Sequence, residues 1–516
     1  MVKGVAAAGK LEGFAPTPWT EESEAWQALD QRLAEDHLVR RVARAVEGLD
    51  LRPLFASYLG VGKRALRPDL LLKLVLYEMQ SSRPSPGQWA RDSRENEALR
   101  WLLFGLEPSR SRLYDFRDRL APFLAAWHAQ VLQEAMNEGV TTGERAALDS
   151  SSVAACAARR QLINQERLQT RRSAIDEALE RLAHGVDLPK GPGWLGRTPD
   201  GLRRQKHHYR RAAELLSQRL AANAQRPACD RKPADKILIS PSDPESFLGR
   251  DKLNVFRPLY SVQLVRDLDS PLVLAYDVLA QHNDNGVVEP MLEQMADHVG
   301  RKPEKLLVDS GYVSLQHLEF CEQAGITLYG PCQENDFSQA NRKKPQSNQY
   351  TELPKSAFRW LAAERAYLCP EGQRLVWSTQ IKQRRAEHTV TLDLFTCPPE
   401  HCLTCPRQAA CTRVPHKGRS VSRMENEDLL DALRARMQTD EARQLYRQRS
   451  RTVELNYADL KEHRGLRRFH GRSRQRAANE VGLLILAHNL LCLDNHRHQP
   501  HAPPPQEQIP QTCSVA

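Results

Sequence analysis

The stretch from Tyr446 to Arg472 is dense in arginine and lysine and carries a carboxylate, Glu454, at its middle. Arg447, Glu454 and Lys461 follow one another at intervals of seven residues. Seven residues bring a helix back to nearly the same face, so the acid would lie between two cations on one stripe, with Arg451 beside it. A core stripe would be apolar; this one is charged. Two readings fit it. One is a solvated basic face with an incidental glutamate. The other is a carboxylate that holds a metal ion while its neighbours hold phosphates, and that reading needs two further acids. The chain offers Asp149 in AALDSSSV and Asp309 in KLLVDSGY. Each follows apolar residues in a run with strand character, and Asp309 falls at the C-terminal end of its run, where α/β sheets place ligands. Magnesium is hard and takes oxygen ligands. Two such ions roughly 3.5–4 Å apart can serve both the attacking and the leaving oxygen of a phosphodiester displacement, and several carboxylates are needed to gather their charge. Arg447, Arg451 and Lys461 would then hold the DNA backbone. Spacing alone leaves both readings open, since three separated acids can be chosen in many ways.

The elements that would position these residues are legible to different degrees. No Gly or Pro interrupts the basic stretch before Gly465, so it predicts a helix of about five turns. Residues 20 to about 135 read as helices, with Leu70, Leu71, Leu74, Val75 and Tyr77 at helical spacing after Pro68. Two segments, 87–105 and 109–123, are separated by a turn at Gly105 and Pro108, which Arg110, Arg112 and Arg117 follow in the second segment. They read either as a helix-turn-helix-like DNA reader or as an ordinary bundle with a basic face. Residues 157–225 form a helical hairpin broken at GVDLPKGPGW. From Ser240 the pattern turns to strands. PLYSVQLVRDL and PLVLAYDVLA are joined by Asp269-Ser270-Pro271 as an antiparallel hairpin. A helix near 288–299, the Asp309 strand, a helix over 315–324 and the strand ITLYGP follow, giving mixed α/β. Residues 335–425 are polar and interrupted by proline, and the apolar end of the segment closing at Leu493 should pack on the sheet.

The organisation expected is a helical DNA-binding domain over 1–135, a catalytic domain over 136–494 with insertions at about 157–235 and 335–425, and a disordered tail over 495–516. A net charge of +10 favours acidic partners, nucleic acid first, while an aromatic content of 6% argues against a stacking platform for single strands. GVAAAGKL near the N-terminus imitates a phosphate-binding loop, but Leu11 stands where a hydroxyl is needed and no strand can precede it. No signal-peptide core is seen, and the apolar run 481–493 is too short to span a bilayer, so a soluble intracellular protein without membrane contact is expected. The eleven cysteines then read as thiols or metal ligands. Cys397, Cys402, Cys405 and Cys411, with Cys369 upstream, are candidate ligands for a structural zinc, the alternative being reduced thiols in a small insertion.

Taken together these motifs resemble the DDE-class insertion-sequence transposases, most like the IS-eleven-eighty-two group within the IS-four-like assembly. ALDSSSV matches the first-acid strand and LLVDSGYVS the second-acid motif. Tyr446, an arginine, Glu454 and Lys461 match the tyrosine-arginine-glutamate-lysine signature of the third acid. GLRRFHGRS and AHNL match the usual ending, and LRPDLLLKLVLYEMQ, SPGQWARDS and PSRSRLYDFR match the helical N-terminal domain. The likeness spans roughly residues 40–493. It implies a ribonuclease-H-like α/β core with Asp149, Asp309 and Glu454 as catalytic, metal-holding residues for Mg2+ or Mn2+. It also implies DNA contacts by Tyr446, Arg447, Arg451 and Lys461, duplex DNA as partner, a homodimer on DNA, and a bacterial, nucleoid-associated cytoplasmic location. Two departures stand out. Ser450 occupies the usual arginine position, four residues before the glutamate, leaving Arg447, Arg449 and Arg451 to compete for that role, and three serines follow the first aspartate. A non-enzymatic DNA-binding descendant and a plain metal-dependent nuclease are the alternatives.

Overall fold

A computed structural model describes residues 13–58, 64–332, 353, 355–385, 388–412 and 414–498. The phosphate-loop imitation at 4–11 lies outside them, as do the tail beyond 498 and residues 335–352 of the polar stretch.

The central sheet is built on β1 (Arg145–Ala154) and β3 (Phe256–Asp267), paired antiparallel from Ala146 opposite Asp267 to Ala154 opposite Leu259. Along its other edge β3 takes β2 (Phe247–Arg250) and then β4 (Val273–Leu279), both antiparallel. The free edge of β1 takes β5 (Lys305–Val308) in parallel, and β5 takes β6 (Thr327–Tyr329), also in parallel. The hairpin expected at Asp269-Ser270-Pro271 is therefore present as β3–β4, and the helix Val288–Val299 carries the chain to β5. Near-continuous burial along β3 and β5 reflects cover on both faces.

Helix Arg474–His498 supplies one cover. It packs on β4 and on the N-terminal helices Leu38–Glu47, Pro68–Gln80 and Leu124–Asn137. The helices before residue 137 therefore have no core of their own: their apolar side chains, the sheet's and this helix's form one cluster. Polar ties reinforce the junction. His128 Nε2 lies 2.9 Å from the carbonyl of Gly482, and Arg41 and Arg44 reach the buried Asp494 at 3.5 and 3.3 Å. Residues 495–498, expected in the tail, are the last residues of this helix. It is also the one helix among the described residues long and apolar enough to cross a membrane; 83% of that apolar window is buried inside the protein, which accounts for its composition.

Helices Gln165–Ala183 and Pro199–Ala224 form the hairpin read from the sequence, with a small apolar cluster of their own. The stretch after 353 departs from expectation. It is an antiparallel sheet of β7 (Arg359–Leu361), β8 (Ala366–Leu368), β9 (Arg374–Arg385), β10 (His388–Thr396) and β11 (Ser420–Met424), in the order β11-β10-β9-β8-β7. From Val376 to Lys382 every residue of β9 is exposed, on both faces of the ribbon.

Candidate active site

The register of the central sheet brings the first two acids together. Parallel pairing of β1 with β5 ends at Leu148 opposite Val308, so Asp149 and Asp309 are the next residues out on neighbouring strands. Adjacent strands lie about 4.8 Å apart. β5 stops there while β1 continues, which leaves both carboxylates at the C-terminal end of the parallel pair.

The third acid arrives on helix Asp440–Ala458. Thr439 caps it by accepting from the Ala442 amide, and Asp440 and Glu441 complement the dipole in its first turn. Two tyrosines fasten it across the strand ends. The Tyr446 hydroxyl donates to the carbonyl of Val308 at 3.1 Å, and the buried Tyr457 hydroxyl lies 2.9 Å from the carbonyls of both Asp149 and Val262. Between them, facing the sheet, stand Val453 and Arg449.

Arg449 organises the site. Its guanidinium lies 2.9 Å from Asp149 Oδ1 and 3.2 Å from Glu454 Oε1, and only 11% of its side chain is exposed. A buried arginine with two carboxylates is a compensated charge, whereas either partner alone would carry a large desolvation cost. Burial pushes the Asp149 carboxyl up to about 6; Arg449 pulls it back, and Asp309 and Glu454 push it up further. That mutual influence ties the three acids to one locality. Glu454 itself is half exposed, on the solvent side of the arginine.

The charge stripe expected from sevenfold spacing forms only in part: Arg447 and Glu454 stand exposed seven residues apart on one helix, but Lys461 does not join them. Arg447 and Arg451 are exposed on the outer flanks of the helix, and Arg449 takes the inward place. The spacing that reveals this is four, not seven: Arg449, Val453 and Tyr457 form one row, and the row is otherwise apolar or aromatic. Lys461 leaves the stripe because the α-helix gives way to a π-helical turn over Asp459–His463. Its ammonium turns back to β1, donating to Ser151 Oγ and, at 3.2 Å, to the carbonyl of Ser152. Burial, then the cations Lys252 and Arg467, lower its pKa to about 8. Gly465 ends the turn at φ +74°, with so little room that a Cβ would stand 2.9 Å from Ser82 Oγ of the N-terminal region.

In the N-terminal region, the segment expected as one helix over 87–105 is two, Pro86–Glu95 and Glu97–Leu102, broken at Asn96, whose side chain caps the second by accepting from Ala98. Arg110 and Arg112 are exposed on helix Arg110–Arg119, which packs on the first of these. Arg117, expected among the DNA contacts, is instead packed: it is 4% exposed and paired with Asp118 at 2.7 Å.

Cys397, Cys402 and Cys411 are buried in the core of the second sheet, with Cys369 packed against it and Cys405 half-buried. Cys369 Sγ accepts from the Gln373 amide at 3.2 Å and Cys402 Sγ from the Arg419 amide at 3.4 Å. Burial, with the neighbouring thiols, pushes Cys397 up to about 12. Among the described residues no three His, Cys, Asp or Glu side chains stand together as a formed metal-binding group, here or around Asp149.

Two family models match the chain. One, described as a transposase DDE domain, matches residues 368–493, which include β9, β10 and β11 of the second sheet and Arg449, Glu454 and Lys461. The other, described as a transposase domain, matches residues 27–119. Asp149 and Asp309 lie between the two, so their place in the site rests on the sheet register. No curated protein matches the chain. Transposase models thus match the chain towards both ends, a likeness to DDE-type insertion-sequence transposases.

Proposed function

We propose that the protein binds the ends of an insertion sequence and carries out metal-dependent strand cleavage and strand transfer, on a ribonuclease-H-like core, with Asp149, Asp309 and Glu454 as the acids of its site. The observation that carries this is Arg449, a cation held between the first and third acids on the rung shared with the second. Its guanidinium stands in for a metal ion: positive charge is what this set of oxygens is built to hold, and carboxylates suit a hard ion such as Mg2+ or Mn2+. Its Nε is buried without a hydrogen-bond partner, so the arginine is only partly satisfied where it lies. When bound, a pair of such ions would supply an activated oxygen nucleophile and stabilise the leaving oxygen.

The protein's own groups have separate tasks. Tyr446 and Tyr457 fix the helix against the strand ends, so Glu454 stays in reach of Asp149. Arg449 neutralises the acids before ions arrive and can turn to a phosphate afterwards, since a guanidinium suits either oxyanion. Arg447 and Arg451 face outward, where a DNA backbone would pass, and Lys461 lies beyond Asp149 along β1. Arg110 and Arg112 contribute to end binding from the N-terminal helices.

The test is a gel assay of binding, cleavage and joining on an end-bearing duplex, with parent and Glu454→Gln. The variant should bind at least as well as the parent, because a negative charge near phosphate is gone. It should neither cleave nor join in magnesium. Cleavage at the parental rate would make Glu454 a surface residue and end the proposal.

A further inference from the structure

The loop between β4 and helix Val288–Val299 brings a fourth carboxylate, Asp284, to the same place. A Cβ built on Gly311 would lie 3.0 Å from Asp309 Oδ1 and 3.2 Å from Asp284 Oδ2, so the two carboxylates face one small space that is open because residue 311 is glycine. Asp309 is oriented from its own turn, with Oδ1 accepting the Gly311 amide at 2.7 Å.

Asp284 is oriented from the sheet. Gln263 is wholly buried on β3, paired in register with Ser150, next to Asp149. An amide buried in a strand of apolar neighbours costs free energy unless its donors and acceptor are used. Here Nε2 donates to Asp284 Oδ1 at 2.9 Å and to Ser261 Oγ at 3.1 Å, and Oε1 accepts from the buried Tyr312 hydroxyl. The network fixes Oδ1 and leaves Oδ2 turned to the space beside Gly311. A surface loop needs no such anchor in the middle of a core strand; a carboxylate held at a set position does.

We propose that Asp284 is a further acid of the catalytic site, sharing with Asp309 the binding of a divalent cation, and that Gln263 is the residue that positions it. The inference rests on the metal-dependent reading above. Asp149, Asp309 and Glu454 supply three negative charges between them, against four positive charges on two ions; a fourth carboxylate closes that gap.

The experiment is a Mn2+ titration of the full-length protein without DNA, followed by electron paramagnetic resonance, with end binding and cleavage measured alongside. Asp284→Asn keeps an oxygen for Gln263 and removes the charge, so a loop pin would survive it and a cation ligand would not. We expect its Mn2+ affinity to fall by about 10- to 100-fold, the range seen when groups around a metal are altered. Cleavage should fall with it, and end binding should hold. Gly311→Ala keeps every carboxylate but fills the space between Asp284 and Asp309; it should weaken Mn2+ binding in the same direction. If both variants titrate like the parent while Asp309→Asn does not bind, Asp284 is no ligand and the three-acid site stands. If the parent itself binds no Mn2+, this inference and the metal-dependent reading fall together.

Discussion

The two sheets of this protein are built on opposite terms. The central one is covered on both faces and shares its core with the N-terminal helices, and its strands are buried along most of their length. The second rests on a small cluster around Phe358, Tyr367, Leu375, Phe395 and Val421, and its longest strand runs exposed for seven residues, with Val376, Trp377 and Ile381 at 52, 56 and 40% exposure. A site that must hold acids within fractions of an ångström belongs on the first kind of sheet; the second kind carries surface that can change without disturbing chemistry.

The largest effect should come from the central sheet. Asp149→Asn is close to isosteric and should reduce cleavage and joining by more than about 100-fold, beyond the loss typical of groups that only surround a metal. A rate assay on a pre-formed end complex reads this directly; a loss under tenfold would remove Asp149 from the site. Next comes stability. Leu307 is fully buried on β5, and Leu307→Ala should cost about 2–5 kcal/mol and lower the melting of the whole chain. Phe395→Ala removes a comparably buried ring from the second sheet, yet its effect should stay local. Hydrogen exchange should then show protection lost over 359–424 and kept on β1, β3 and β5. Equal loss in both sheets would mean that they fold as one unit.

Lys461 gives a smaller, pH-dependent effect. Its pKa in the folded protein, about 8, lies below the 10.5 of a free lysine, so on raising the pH the folded state releases this proton first. Burial of the ammonium therefore weighs on stability below about pH 8, and that burden lifts as pH rises from 8 toward 10.5. A phosphate placed against Lys461 would restore the ammonium. Binding of end DNA near pH 8.5 should take up a proton, seen by calorimetry in buffers of different ionisation enthalpy, and Lys461→Met should abolish the uptake. The smallest effect should come from the ribbon: Trp377→Ser with Ile381→Ser should leave the melting temperature nearly unchanged, within the roughly 0.5 kcal/mol usual at exposed sites. A clear loss would show that the ribbon is packed in solution.

What the sequence made legible follows the same division. β3, β4 and β5 are buried, so their apolar runs announced them, and the turn Asp269-Ser270-Pro271 marked the hairpin between the first two. β9 reads VWSTQIK and is exposed on both faces; no face had to be apolar, so no period of two was written there and the stretch passed as a polar insertion. Asp149, Asp309 and Glu454 could be nominated because each stands at a change of pattern. Which arginine served them could not be read from sevenfold charge spacing, because the rotation of that helix is set by Tyr446, Val453 and Tyr457 meeting the sheet. Asp284 lay hidden for another reason: it sits in a polar loop, and its anchor, Gln263, looks in sequence like one polar residue in a strand.

The shared core has a consequence for shortened products of the reading frame. A polypeptide ending near residue 135 would keep Arg110 and Arg112 but would lose the helix Arg474–His498, on which helices Leu38–Glu47, Pro68–Gln80 and Leu124–Asn137 are packed. Its apolar faces would be left in water, an invitation to aggregation and proteolysis. Such a fragment is a poor candidate for a repressor that occupies element ends without cutting them. An inhibitor derived from this chain would have to retain its last helix, and with it Glu454, so its silence would have to come from substitution and not from truncation.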